Sequence, residues 1–162
     1  KRQARSRGGQ RWLMDINYPP LTRAQFAPIW AFANKQQGQY GTFTYQPPIY
    51  KDTSGTATGT LLVNNAGGYA AGSSTIAADG LTGTLKAGDF IKFAGHDKVY
   101  TITADGSTSL AIEPALLESV ADNEVITYND VPFTMAFTAD TQEMSVSTGG
   151  FVAYQIKLVE VV

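Results

Sequence analysis

The sequence predicts a mainly β protein with one flanking α-helix: a β-sandwich or barrel that carries a smaller inserted β-barrel. Its 162 residues include 16 Gly, 7 Pro, 8 Tyr and 8 Phe, which suits many short strands joined by tight turns. Apolar residues alternate with others near both ends of the chain, and one segment has helical spacing. The hydrophobic content of 43% supports one domain, or a domain with a smaller one nested in it.

Strands are predicted on either side of the helical segment. In residues 11–18 every second side chain is apolar or aromatic, as in a strand with one buried face, and these are Trp12, Met14, Ile16 and Tyr18. Pro19 and Pro20 end this strand. Residues 41–45 resume the alternation until Pro47 and Pro48.

A helix is predicted over residues 22–37, where Thr22 and Gln25 form a capping box. Pro28 indicates either a kink or a regular start near Ala27. The apolar stripe contains Phe26, Ile29, Trp30 and Ala33, and we expect the first three to pack the helix onto a sheet. Phe32 does not share that face, so the inserted region covers it or it contacts a partner.

The middle of the chain, residues 53–129, alternates short apolar runs with turn signals, Asp79-Gly80 among them. Such a pattern suits a small closed barrel, which hides its strand edges. The six predicted strands are Leu61 to Val63, Leu85 to Ala87, Phe90 to Phe93, Lys98 to Thr103, Ser109 to Ile112 and Val125 to Tyr128.

Two longer strands follow, one with Val131, Phe133, Met135 and Phe137 on one face and one with Val152, Tyr154, Ile156 and Leu158. A polar, exposed loop over residues 139–150 is expected between them. The predicted organisation is a basic arm over residues 1–10, one domain made of 11–52 plus 130–162, and the barrel inserted at 53–129. One continuous series of sheet strands is the alternative.

Catalysis finds little support in the sequence. The chain has no cysteine and one histidine, His96, so thiolate metal sites and Cys nucleophiles are excluded. His96 is followed by Asp97, but neighbouring residues of an extended chain point to opposite sides, and a turn is the favoured interpretation. Recurring acids in the middle region fit turn chemistry better than calcium or glycoside chemistry, and they are Asp79, Asp89, Asp97 and Asp105. We expect no enzyme activity, cofactor or metal.

Charge is distributed unevenly. Residues 1–23 hold six basic residues and one acid, whereas residues 24–162 hold six basic residues and thirteen acids. We expect Arg2, Arg5, Arg7 and Arg11 to dock on an acidic neighbouring subunit. The alternatives are contact with nucleic acid, suggested by the RGG sequence beside Trp12, or a solvated end. No apolar run approaches the roughly 20 residues of a membrane-spanning helix, so we expect a protein that is soluble when made and does not insert into membranes.

Several segments together resemble the tail-tip proteins of tailed bacteriophages, in particular distal tail (baseplate hub) and related minor tail proteins. These segments are RGGQRWLMDINYPPLTRAQF, GQYGTFTY, LKAGDFIKFAGHDKVYTI, IEPAL and DVPFTM. The resemblance implies a tail-tube-like β-sandwich with a helix and a homo-oligomeric ring, commonly of six. It also implies contacts with tube, hub and fibre proteins, synthesis in the host cytoplasm and a location in the virion tail. DNA would pass through the channel without specific binding.

Two other functions remain open at this stage. One is a carbohydrate-binding module on the virion or cell surface, centred on the middle barrel and using Tyr69, Tyr100 or Tyr128 as stacking surfaces. In either case Tyr69, like Phe32, is a candidate outward contact. The other alternative is a different component of the connection between head and tail.

Overall fold

The computed structural model describes residues 9–162, and its contacts divide them into two units. We call Arg11–Thr44 with Thr134–Val161 the sheet unit, and Tyr45–Phe133 the barrel unit. The described residues form one helix, α1 (Arg23–Lys35), and eleven strands. The strands are β1 (Leu13–Asn17), β2 (Thr42–Tyr45), β3 (Thr58–Val63), β4 (Thr75–Thr82), β5 (Phe90–Phe93), β6 (Val99–Ile102), β7 (Ser109–Glu113), β8 (Val125–Thr127), β9 (Phe133–Phe137), β10 (Met144–Val146) and β11 (Val152–Glu160).

The predicted fold class is confirmed, since the described chain is mainly β with one helix, a closed barrel and a second sheet. The second sheet has the strand order β1-β11-β9-β2, and β10 also pairs with β11. Strand β1 runs antiparallel to β11, with Met14 opposite Leu158 and Asp15 opposite Lys157. The first strand therefore pairs with the last one, across almost the whole length of the chain.

One face of this sheet is buried by α1. Along β11 the even-numbered residues Val152–Glu160 are buried, while Ala153, Gln155 and Lys157 are exposed. This strict alternation is what a strand with one covered face requires. On the opposite face, Asp15 and Lys157 lie opposite each other, and the exposed Leu13 lies on the same face.

The helix begins close to its predicted start. The backbone N–H of the N-cap residue Thr22 donates to Oε1 of Gln25 at 3.0 Å, which is one half of the expected capping box. Pro28 lies inside the continuous helix, so the alternative of a regular start near Ala27 is wrong. Helix α1 ends at Lys35, two residues before the predicted limit.

The barrel closes in the order β3-β4-β7-β6-β5-β8. Its interior is a single apolar cluster that includes Val63, Ile76, Ile91 and Phe93, each with no exposed surface. Because every strand has two neighbours, the barrel leaves no open edge for another chain to pair with.

Two barrel predictions are wrong in detail. Residues 85–87 do not form a strand, and Leu85 makes only an isolated bridge to Gly106. The sixth strand is instead β4, where a turn had been predicted at Asp79-Gly80. Gly80 has φ +79° and lies opposite the register shift between Gly59 and Leu62 of β3, so this glycine serves a bulged strand pair rather than a turn.

The loop predicted over residues 139–150 also contains a short strand. Strand β10 pairs antiparallel with the start of β11, with Ser145 opposite Ala153. A turn closed by the Ser147 N–H, which donates to the Phe151 carbonyl at 2.9 Å, completes a hairpin. The loop was expected to be exposed, and all three residues of β10 are exposed.

Candidate functional site

The outer edges of the five-stranded sheet are the first candidate for a functional surface. Within residues 9–162, β1 pairs with β11 alone, and β2 pairs with β9 alone. The Tyr18 N–H donates to the Tyr154 carbonyl, and the Glu160 N–H donates to the Trp12 carbonyl. The backbone N–H and C=O groups of the even-numbered residues in and beside β1 therefore point toward β11. The backbone groups of Leu13, Asp15 and Asn17 therefore point away from the sheet. Such an edge is able to accept a strand from another molecule.

Exposed apolar side chains accompany these edges. Leu13 on β1 is 69% exposed. On the hairpin, Met144, Val146 and Phe151 are 47%, 66% and 47% exposed. Sequence reasoning missed the hairpin residues because Ser, Thr and Gly surround them, although the spacing of Met144 and Val146 is that of a strand.

The predicted helix residues lie beside β11. Phe26 is buried, and its ring contacts those of Trp30 and Tyr154 at centroid distances of 5.5 and 5.3 Å. Trp30 is half-buried and meets the Tyr154 ring edge-on at 6.0 Å. Ile29 is half-buried. This aromatic group occupies the covered face of the sheet.

The two candidate outward contacts differ in their surroundings. Phe32 is 41% exposed, and its ring meets Phe43 edge-on at 5.0 Å. Tyr69 is half-buried against the barrel core, and its hydroxyl accepts the Ala77 N–H at 2.8 Å. The Tyr69 hydroxyl is thus already used within the barrel unit, and the outward role of both residues stays a prediction.

The predicted interface arginines fall mostly outside the described residues. This is so for Arg2, Arg5 and Arg7, whereas Arg11 is described and exposed. The arginines were expected to meet acidic residues, and the structure shows in which unit the acidic residues of the chain lie. The barrel unit holds ten acids and four lysines, a net charge of −6, and the sheet unit holds four acids and four basic residues.

The lysines of the barrel unit add little positive surface. Lys51 pairs with Asp52 and Asp130, and Lys86 pairs with Asp105 at 2.6 Å. Two others are largely or fully buried: the Lys92 side chain is 14% exposed, and Lys98 is 2% exposed. The outer surface of the barrel is therefore anionic.

Among the acidic residues of the barrel unit, Asp89 accepts the most hydrogen bonds. The residue is 5% exposed, and its carboxylate accepts the Ser54 N–H and hydroxyl at 2.8 and 2.7 Å, the Lys86 N–H at 2.8 Å and the Thr53 hydroxyl at 2.5 Å. Burial alone would raise its pKa, but these hydrogen bonds favour the charged form, and the net effect is a pKa below the ordinary 3.8. Asp89 anchors the segment that leads into the barrel.

The two connections of the barrel are tied to each other. Val131 N–H donates to the Lys51 carbonyl at 2.9 Å, and Thr53 N–H donates to Oδ1 of Asn129 at 3.1 Å. Lys51 Nζ lies 2.6 Å from Oδ1 of Asp130, and this hydrogen bond raises the pKa of Lys51. A hydrogen bond from Lys51 lowers the pKa of Asp52 in turn. We call these contacts the neck of the barrel.

His96 has a structural environment. It is 5% exposed, its Nδ1 lies 2.8 Å from the Tyr100 hydroxyl, and its Nε2 lies 3.5 Å from the Ser119 carbonyl. The same hydroxyl accepts the Leu117 N–H at 3.2 Å. Nowhere in residues 9–162 do three or more potential metal-binding side chains cluster. The network fastens the 114–120 segment to the barrel.

The aromatic residues proposed for glycan stacking on the barrel are mostly inaccessible. Tyr100 has no exposed surface, and Tyr128 is 7% exposed with its hydroxyl donating to the Gly59 carbonyl at 2.7 Å. Neither ring is able to stack on a sugar. The carbohydrate alternative therefore keeps only Tyr69 of its three candidates.

The sheet unit contains a cavity of about 460 Å³ beside the start of the hairpin. Its lining includes Asn17, Gln142 and Gln155, together with Tyr18 and Tyr154. Burial raises the pKa of Tyr154, and the nearby Tyr18 raises it further.

In the described part of the chain, no helix is long and apolar enough to span a bilayer.

Comparison with known protein families finds a match, and it covers the barrel region. Residues 53–131, just under half of the chain, match the family model of the B domain of distal tail protein pb9. The resemblance to phage distal tail proteins, predicted from the sequence, is confirmed by this match. No curated protein matches the chain significantly.

Proposed function

We propose that this chain, whose barrel matches a phage distal tail domain, forms a homo-oligomeric ring that connects the tail tube to fibres or the receptor-binding apparatus. The family match supports a structural role in the virion tail, with other tail proteins as partners. The ring, its copy number of six and the link to the baseplate and fibres are our inferences. So is synthesis in the host cytoplasm.

The observation that carries the ring proposal is the pair of open edges on the sheet unit. A strand edge on one side and a different edge on the other make a head-to-tail contact, and such contacts close into rings when the rotation allows. The exposed Leu13 on β1 adds an apolar contact to the backbone pairing. The closed barrel has no such edge, so it is the unit that is free to serve as an outward module.

The charge distribution supports a second contact between copies. We infer that the basic arm, residues 1–10 with Arg2, Arg5 and Arg7, docks together with Arg11 on the barrel unit of a neighbour. The barrel unit carries the net charge of −6, whereas the sheet unit offers no net attraction. The arm would therefore complete the ring through a different surface from the strand edges.

The passage of DNA without specific binding is a further part of the proposal. On the face of the sheet opposite α1, Asp15 of β1 lies opposite Lys157 of β11, so this pair gives no net attraction for phosphates. If this face lines the channel, a filter-binding assay with double-stranded DNA at physiological salt should show no retention of DNA by assembled rings.

The edge contact is tested with two variants of Leu13. Leu13→Pro removes an outward N–H without breaking the ladder to β11, and Leu13→Ala removes the side chain but keeps the N–H. We expect size-exclusion chromatography with light scattering, and negative-stain imaging, to show rings for the wild type and for Leu13→Ala. Leu13→Pro should be monomeric.

Two results would contradict the proposal. One is a wild-type protein that stays monomeric at high concentration and is absent from purified particles. The other is a Leu13→Pro variant that forms rings as well as the wild type does, with an unchanged circular dichroism spectrum.

A further inference from the structure

We propose that the cavity of the sheet unit binds an uncharged, polyhydroxylated ligand, namely a sugar residue, at a place distinct from the barrel. The cavity, about 460 Å³, falls within the size range of small-molecule sites. This inference goes beyond the proposed ring and does not depend on it.

The chemistry of the lining indicates the ligand class. Eight of the lining residues carry uncharged amide or hydroxyl groups, while Glu143 and Lys157 are the two charged ones and balance each other. Amides and hydroxyls both donate and accept hydrogen bonds, as sugar hydroxyls do. A phosphate or a dicarboxylate would require a surplus of positive charge, which this lining lacks.

Two amide side chains are held in place by other residues. The Tyr154 hydroxyl, on a side chain that is 3% exposed, donates to Oε1 of Gln142 at 2.8 Å. Nε2 of Gln142 also lies 3.3 Å from the Ala139 carbonyl, which leaves its second N–H for a ligand. Nε2 of Gln155 donates to both carboxylate oxygens of Asp15 at 2.7 Å, which leaves Oε1 of Gln155 as an acceptor.

This arrangement presents a donor and an acceptor whose orientations are already set. A site of this kind avoids part of the conformational entropy that binding otherwise costs. Tyr18, which is half-buried and whose ring stacks on that of Tyr154 at a centroid distance of 6.2 Å, also lines the cavity and contributes apolar surface beside the donor and the acceptor. Donor, acceptor and ring together fit a sugar better than a purely apolar molecule.

The test is saturation-transfer difference NMR on the full chain. The probes are glucose, galactose, N-acetylglucosamine, maltose and lactose, each at millimolar concentration. We expect transfer to at least one of them. Transfer to monosaccharides indicates a site for a single sugar residue, and transfer confined to the disaccharides indicates a segment of a polysaccharide.

Three variants locate the signal. Thr141→Trp fills the cavity from an exposed loop position and should abolish transfer. Gln142→Ala should weaken binding by about two- to ten-fold, the effect of losing one neutral hydrogen bond. Thr108→Trp, the same change at an exposed position of the barrel unit, is the matched control and should bind as the wild type does.

The proposal is overturned if none of the five sugars shows transfer. It is also overturned if Thr141→Trp and Gln142→Ala both keep the wild-type signal. The cavity lies within one chain, so the sugar site does not require a ring; failure of this experiment would leave the ring proposal standing, and the reverse also holds.

Discussion

At the scale of single residues, Asp89 has the largest structural role that sequence reasoning did not assign. Its type and its neighbour Gly88 correctly indicated a turn, since the Asp89 N–H donates to the Lys86 carbonyl at 3.0 Å. The hydrogen bonds from Thr53 and Ser54 join residues 35 and 36 positions away, and a local pattern has no means of showing such partners.

Replacing Asp89 with Ala should destabilise the barrel unit strongly. The substitution leaves several buried donors without an acceptor, and we expect a loss of about 2–4 kcal/mol in the free energy of unfolding. Urea denaturation followed by far-UV circular dichroism measures this loss. Asp79→Ala, at an exposed position of β4, is the control and should stay within about 0.5 kcal/mol of the wild type.

The same carboxylate should make stability depend on pH. Because the folded pKa of Asp89 is lowered, its contribution is complete above the unfolded value near 3.8 and is lost as the pH falls toward the folded pKa. The difference in unfolding free energy between the wild type and Asp89→Asn should therefore shrink below pH 3.8. An equal difference at pH 6 and at low pH, about pH 3, would contradict this assignment.

At the scale of elements, the packing of α1 on the sheet separates two phenylalanines of one helix. Phe26→Ala should cost about 3–5 kcal/mol, because the ring is buried between Trp30 and Tyr154. Phe32→Ala removes a ring that is 41% exposed and should cost clearly less. Thermal unfolding of the two variants provides the comparison, and equal losses would show that the helix does not pack by this face.

The bulge between β3 and β4 requires a glycine. A Cβ atom at residue 80 would lie 2.1 Å from the Thr60 carbonyl oxygen, and φ there is +79°. We expect Gly80→Ala to destabilise the barrel unit by more than the roughly 1 kcal/mol that positive φ alone costs. Gly72→Ala is the matched control, with φ +92° and no atom within 4 Å of the added Cβ. Chemical denaturation of both variants measures the difference.

These elements also show which parts of the fold were predicted from the sequence alone. The alternation in β11 was predicted for Val152, Tyr154, Ile156 and Leu158, because a strand with one covered face leaves a period of two in its residues, but the buried Glu160 on the same face was not predicted. Strand β4 was missed because Asp79-Gly80 is a frequent turn pair, and the glycine's role depends on the Thr60 carbonyl of a neighbouring strand. The cavity was not predicted, since its lining comes from β1, β11 and the hairpin region.

At the scale of the whole molecule, charge is segregated between the units. The expectation of a basic end and an acidic remainder followed directly from the sequence. The structure adds that the surplus of acid belongs to the barrel unit and not to the sheet unit. The docking of the basic arm on a neighbouring barrel unit stays a proposal, and its charge complementarity rests on this surplus.

If the arm docks on a neighbouring barrel, ring assembly should weaken with salt. The Debye length falls from about 10 Å at 0.1 M to about 3 Å at 1 M, so contacts between exposed charges are screened. We expect the ring fraction of the wild type, measured by light scattering, to fall over that range. The double variant Arg5→Gln/Arg7→Gln should assemble less at low salt and respond less to added salt. A wild-type ring fraction that does not change with salt would contradict arm docking.

The neck has a consequence for how such a protein diversifies. Where the chain leaves Lys51 and where it returns at Val131 are hydrogen-bonded to each other, so the 79 residues matched between 53 and 131 begin and end at one place. Recombination at two short joints would then replace the whole module with another whose termini are adjacent. The barrel could then be exchanged for another module while the sheet unit is inherited unchanged.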